Sequence, residues 1–236
     1  MYYPMFYDPT YILVMIGVVI CLLASAKMNS TFSKYSRVRS HSGMTGKEAA
    51  EALLHREGIY DVRVEYVAGN LTDHYDPRSK VLRLSDATYQ QTSVAAIGVA
   101  AHECGHAIQH QNNYVPLKIR GALVPIANFG AGISWPLIVI GILMGGSSLL
   151  INIGIWMFVA VVAFHLVTLP VEFNASSRAL KIMESSGILH GDENRYAKEV
   201  LGAAALTYVA GAASMILQLL RLLILTGAFR RNDDER

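Results

Sequence analysis

The 236-residue sequence is short of charge. Asp, Glu, Lys and Arg make up 16% of it and hydrophobic residues 53%, whereas soluble domains carry about 25% charged residues. The deficit argues for a bilayer. What charge remains is nearly balanced, with 20 basic and 18 acidic residues for a net of +2. That excess is too small for a nucleic-acid binder, and no DNA- or RNA-binding motif is present. Cysteine is almost missing. Cys21 falls in an apolar run and Cys104 beside a candidate metal site, so a disulfide framework is not expected. Cys104 reads as a small helix residue, because zinc sites of the spacing found here do not need a thiolate. Internal repeats and low-complexity tracts are also lacking.

What the sequence does have is four apolar stretches, at 9–26, 123–144, 149–169 and 203–229. Each approaches the roughly 20 residues that cross a bilayer as a helix. The first has no basic segment before it and outlasts a signal peptide's apolar core, so it is expected to stay as an anchor. Only Gly145, Gly146, Ser147 and Ser148 separate the second and third, which predicts a tight hairpin. The fourth carries Tyr208, Gln218 and Arg221. These polar residues are expected to pack inward, or the span to tilt.

The expected organisation is therefore an anchor (1–26), a polar domain (27–120), a membrane hairpin (121–169), a helix-bearing segment (170–200), a fourth membrane helix (201–229) and a charged tail (230–236). Neither polar segment is large enough for a full-sized domain, so the two are expected to combine on one face of the membrane. The fold class is mostly α, with about four transmembrane helices and a small α+β domain at the membrane surface. Lys27, Lys34, Arg37, Arg39, Lys118, Arg120, Arg178 and Lys181 all flank the spans on the side of that domain. Basic residues near span ends mark the cytoplasmic side. Arg230 and Arg231 oppose this if the fourth span crosses fully, but the balance places the polar domain in the cytoplasm.

The residues 100–107 contain His102-Glu103-x-x-His106. Helix positions four apart share a face, so both imidazoles can reach one ion, and neutral imidazole suits zinc. Glu103 stands beside that face and is not needed as a ligand. It can take a proton from a water that the metal acidifies to a pKa of about 7. The apolar run 94–101 supplies a helix that buries the site, and Gly105 is expected to leave room near the metal.

Catalytic zinc needs a third protein ligand and one open position. His110 is too far along the same helix, about 12 Å from His102. The longer metzincin motif requires a glycine and a third histidine, where this chain has Gln109 and Asn112. Glu172 is the better candidate. It lies just past the third span, near Pro170, which suits a first helical turn or a kink. Two membrane crossings separate it from His106, and an even number is needed to return to the same face. Glu184, Asp192, Glu193 and Glu199 compete, but lie in a more polar run where solvated surface is the usual role.

With these residues in hand, the chain resembles the membrane gluzincins, of which HtpX is an example, and more closely the YugP-like family of bacterial membrane zinc metallopeptidases. The segments 101–110 (Ala-His-Glu-Cys-Gly-His-Ala-Ile-Gln-His), 169–176 (Leu-Pro-Val-Glu-Phe-Asn-Ala-Ser) and 203–210 carry the resemblance, which covers nearly the whole chain. It implies a zincin-like domain, the bacterial plasma membrane and peptide-bond hydrolysis of protein or peptide substrates. One position departs from the HtpX-like pattern. An aspartate partner of a ligand histidine, four residues after the ligand glutamate, is here Ser176.

The function expected is a membrane endopeptidase with one zinc on His102, His106 and Glu172 and with Glu103 as general base. An intramembrane protease of the site-2 type would bring an aspartate motif in a later span, and spans two to four contain no Asp. A non-catalytic zinc scaffold would have no use for Glu103. Such peptidases bind substrate as an added strand. Residues 80–85 and 62–67 alternate as strands do, with a turn at 76–79 between strand signals, and Asp73 and His74 read as surface loop. Asn174, Arg178, His165 and Tyr208 are candidates for stabilising an oxyanion.

Overall fold

The four apolar runs form the cores of four long helices. A computed structural model describes residues 8–227. Its elements are α1 (Tyr11–Tyr35), α2 (Gly46–Arg56), β1 (Arg63–Tyr66), β2 (His74–Asp76), β3 (Val81–Leu84), α3 (Val94–Gln111), α4 (Val115–Leu143), α5 (Ser148–Ser186) and α6 (Asp192–Leu225). Among the described residues, α1, α4, α5 and α6 are long and apolar enough to cross a membrane. The fold is thus mostly α, with one small sheet. The charged tail at 230–236 and the end of the fourth run at Phe229 lie outside the described residues.

Each long helix outruns its apolar stretch, because helical hydrogen bonds do not stop where hydropathy does. α5 continues to Ser186 and α6 begins at Asp192. No new helix starts at Pro170, which sits inside α5. Helices tolerate proline where neighbouring groups take over the freed backbone partners.

The chain divides into two compact units. The first comprises the residues up to Ala24, Ile119–Leu169 and those from Tyr208 onward. Its helix hairpin closes through Gly145 and Gly146 at φ of 77° and 86°, a left-handed geometry that glycine adopts without strain. Ile138, Ile155, Phe158, Val162 and Leu222 form its core. Arg221 faces inward, its Nη2 2.9 Å from Asp8 Oδ2 and its guanidinium 4.3 Å from the Tyr11 ring centroid.

The second unit comprises Ser25–Lys118 and Pro170–Thr207. Its sheet has the order β1-β3-β2. The strands expected at 62–67 and 80–85 do pair, but in parallel, with Arg63 opposite Val81 and Tyr66 opposite Leu84. The antiparallel partner of β3 is β2, in a segment read from the sequence as loop. Asp76 builds the turn between them, accepting from Arg78 N–H at 2.9 Å and the Ser79 hydroxyl at 2.6 Å. β3 is flanked on both sides, so Val81–Leu84 offers no edge to an incoming strand. The edges belong to β1 and β2.

Helix α3 runs through the core of this unit. Ser93 caps it, accepting from Ala96 N–H at 3.2 Å. α2 starts with a reciprocal cap between Thr45 and Glu48. Such caps contribute about 1 kcal/mol each. Ala100, Ala101, Cys104 and Ala107 of α3 pack with Ala50 and Leu53 of α2, Leu82 and Leu84 of β3, Ala179 and Met183 of α5, and Ala197 of α6. Small side chains on α3 let these neighbours approach closely.

Candidate metal centre

Two helices of the second unit build the site. α3 presents His102 and His106 one turn apart, and α5 presents Glu172. Their donor atoms all lie within 4.8 Å of one another. Glu172 Oε2 stands 3.2 Å from His102 Nε2 and 3.6 Å from His106 Nε2. Ligands at 2.0–2.1 Å in a tetrahedron are ~3.4 Å apart, so the cluster has the dimensions of a zinc site. The imidazole rings cross at 87°, with centroids 4.8 Å apart. The donor set of two imidazole nitrogens and one carboxylate oxygen is itself one that zinc uses in peptidases. The other candidate acids, Glu184, Asp192, Glu193 and Glu199, are not in this cluster.

Each imidazole is also held by its far nitrogen. His102 Nδ1 lies 3.1 Å from Ser176 Oγ, so the hydroxyl occupies the place of the aspartate in the related pattern. His106 Nδ1 lies 3.0 Å from Gln109 Oε1. Gln109 is fully buried. Its amide donates to Val171 O at 2.8 Å and to Asn174 Oδ1 at 3.0 Å. Asn174 Oδ1 also accepts from Arg178 Nε at 2.8 Å. Gln109 was read from the sequence only as a departure from the metzincin motif. Nothing in the sequence singles it out, because α3 also carries His110 and Gln111 nearby and only burial distinguishes Gln109 from them.

The electrostatics pull in two directions. Burial alone would lower the His106 pKa, but the Glu172 carboxylate and the nearby Glu103 outweigh it and hold the pKa above the ordinary 6.5. Glu103 is 7% exposed, and none of the described residues hydrogen-bonds its carboxylate. Cys104 is buried, its Sγ 3.6 Å from Ala50 O. Burial pushes its thiol pKa far up, which makes it inert as nucleophile or ligand.

Gly105 has a different use from the one expected. A Cβ there would lie 2.4 Å from the Ala175 carbonyl oxygen on α5. The missing side chain is what lets α5 approach α3. His110 is outside the cluster and bonds Tyr75 Oη through Nδ1 at 2.9 Å. Asp73 accepts from the backbone and hydroxyl of Ser85, at 2.7 and 2.8 Å. His74 opens strand β2. Among the oxyanion candidates, Asn174 and Arg178 bond each other, while His165 and Tyr208 belong to the first unit.

Residues 10–227 match the family described as "Putative neutral zinc metallopeptidase". The chain belongs to this family. It is also 49% identical over 202 residues to "Putative membrane protease YugP" of Bacillus subtilis (strain 168), an alignment that covers 86% of this chain and 89% of the relative. No solved structure matches. The family implies zinc, and the His102, His106 and Glu172 cluster is where the donor atoms for it converge.

Proposed function

We propose that the chain is a zinc-dependent endopeptidase of the bacterial plasma membrane, with its catalytic domain in the cytoplasm. His102, His106 and Glu172 hold one catalytic ion, and Glu103 is the general base. The observation that carries this is the convergence of two Nε2 atoms and a carboxylate oxygen within 4.8 Å, beside a buried acid that is not part of the cluster. Family membership and the relative's name as a membrane protease support the same reading.

A zinc ion bound there supplies Lewis acidity, polarising the scissile carbonyl and lowering the pKa of the attacking water to about 7. The protein does the rest. Ser176 and Gln109 orient the two imidazoles. Glu103 accepts a proton from the water as its oxygen attacks the carbonyl carbon. It then gives that proton to the departing amine nitrogen as the C–N bond breaks. The products are a carboxylic acid and an amine, and Glu103 returns to its starting state. The substrate class is protein or peptide, and the lipid bilayer is the surroundings of α1, α4, α5 and α6. The basic residues flanking the spans support the cytoplasmic orientation.

The test is Glu103→Gln. The amide keeps the shape but cannot take a proton. General acid–base catalysis is typically worth about 100- to 10,000-fold, so peptide hydrolysis should fall by that factor while zinc content stays at one equivalent. Wild-type turnover in this variant, with contaminating proteases removed, would overturn the mechanism.

A further inference from the structure

We infer that Gln109 is a positioning residue that commits His106 to the tautomer able to bind metal through Nε2, and that Asn174 and Arg178 set the direction of the hydrogen bonds that make it do so. The inference rests on the metal-centre reading above. Its ground is the polarity of the network, which can be worked out from its outer end.

An arginine Nε can only donate, and a backbone carbonyl can only accept. Arg178 Nε sits 2.8 Å from Asn174 Oδ1, so that side chain must present its oxygen. Gln109 then meets two acceptors, Asn174 Oδ1 at 3.0 Å and Val171 O at 2.8 Å. Its NH2 group has two hydrogens, one for each. The amide oxygen is left to face His106 Nδ1 at 3.0 Å. An oxygen there favours a proton on Nδ1, which leaves the Nε2 lone pair free for an ion shared with Glu172, whose Oε2 is 3.6 Å from that nitrogen.

The flipped amide is the alternative. It would set its oxygen against two acceptors and its NH2 against His106, forcing the proton onto Nε2. Gln109 is 0% exposed, so no water compensates such a mismatch, and each unsatisfied buried group is costly. The contrast with His102 is informative. Ser176 Oγ can donate or accept by rotating its hydrogen, so it orients that ring without choosing its tautomer. At the far nitrogen, Nδ1, only His106 meets a partner whose direction the network fixes. Groups that orient a ligand histidine in this way typically change metal affinity by about 10- to 100-fold when lost.

The experiment measures zinc affinity of the purified full chain by chelator competition, for wild type, Gln109→Met and Gln109→Glu. Methionine keeps the bulk and removes the acceptor. Glutamate keeps an oxygen for the Nδ1 proton, and its other oxygen can meet the two acceptors only as a protonated carboxyl, with one hydrogen where glutamine has two. Gln109→Met should weaken zinc binding about 10- to 100-fold, and Gln109→Glu should recover most of that. A folded Gln109→Met protein binding zinc like wild type would overturn the assignment, as would a Gln109→Glu protein as weak as the methionine variant. A packing role alone predicts lower thermal stability in both and no such rescue. Should Gln109→Met not fold, nitrogen NMR of histidine-labelled, metal-free wild type at alkaline pH decides instead. His106 should carry its proton on Nδ1, and a proton on Nε2 sinks the inference. Wild type that fails to bind zinc would refute the metal centre itself, a result distinct from either of these.

Discussion

Gly105→Ala is the change that most sharply separates local helix physics from the needs of the site. On propensity alone, alanine in mid-helix should stabilise α3 by about 1 kcal/mol. The contact geometry says otherwise. The new Cβ would meet the Ala175 oxygen at 2.4 Å, its carbonyl carbon at 3.0 Å and its Cα at 3.1 Å. All three are backbone atoms, so no side chain can swing aside. Restoring an ordinary contact of about 3.4 Å requires α3 and α5 to part locally by about 1 Å. Overpacking of this kind typically costs 1–3 kcal/mol, which cancels or exceeds the propensity gain.

The larger effect is on the ligands. His106 follows Gly105 directly, and Glu172 and Ser176 flank Ala175 by three residues and one. Metal sites hold their distances to about 0.2 Å, and a misplacement of about 1 Å can cost about 100-fold in rate. Zinc affinity and peptide hydrolysis should therefore both collapse in Gly105→Ala, with thermal stability unchanged or lower. Gly202→Ala is the control. Gly202 lies in α6 with nothing within 4 Å of its would-be Cβ, so it should gain stability and keep its metal. A Gly105→Ala protein that melts higher and binds zinc normally would refute the claim that the helix approach sets the site.

Other outcomes follow from the same geometry. Glu172→Ala should lose most bound zinc by metal analysis, while a full equivalent retained would hand the third position to another acid. Protons compete with metal at His106, so zinc loading should be complete above its raised pKa and fall as pH drops through it. Stability of the metal-free protein should run the other way. A folded-state pKa above the unfolded value adds stability that is full below about 6.5 and lost as pH rises through the folded value. Chelator titrations and thermal melts across about pH 5 to 9 should thus slope oppositely. For orientation, a cysteine at exposed Glu57, in a Cys21→Ala background that leaves buried Cys104 in place, should resist an impermeant thiol reagent in intact cells.

The parts of the site legible in the sequence are those governed by local periodicity and chain topology. His102 and His106 follow from a spacing of four, and Glu172 from two crossings together with its place at the apolar edge of the segment, ahead of the more polar run that holds the other acids. The long helices follow from apolar length. What could not be read depends on which side chains meet in space. Gln109 is one of many polar residues until the burial of its amide is known. Gly105 looks like room for a ligand until Ala175 is found against it. The parallel pairing of β1 with β3 was hidden because alternation gives a strand's faces but not its direction. The start of α6 was hidden because charged residues at Asp192 and Glu193 are as compatible with a helix's first turn as with a loop.

The two halves of the metal centre are also separated in time. His102 and Glu172 are 70 residues apart in the chain, and α4 and the apolar part of α5 lie between them. At about 5–20 residues per second, synthesis leaves roughly 3–13 s between His106 and Glu172 during which both histidines exist without the carboxylate. The third ligand arrives only after the hairpin has been made. A nascent or truncated chain that stops short of it holds two imidazoles and Glu103 but cannot complete the cluster, so under the proposed function hydrolysis would have to wait for the hairpin.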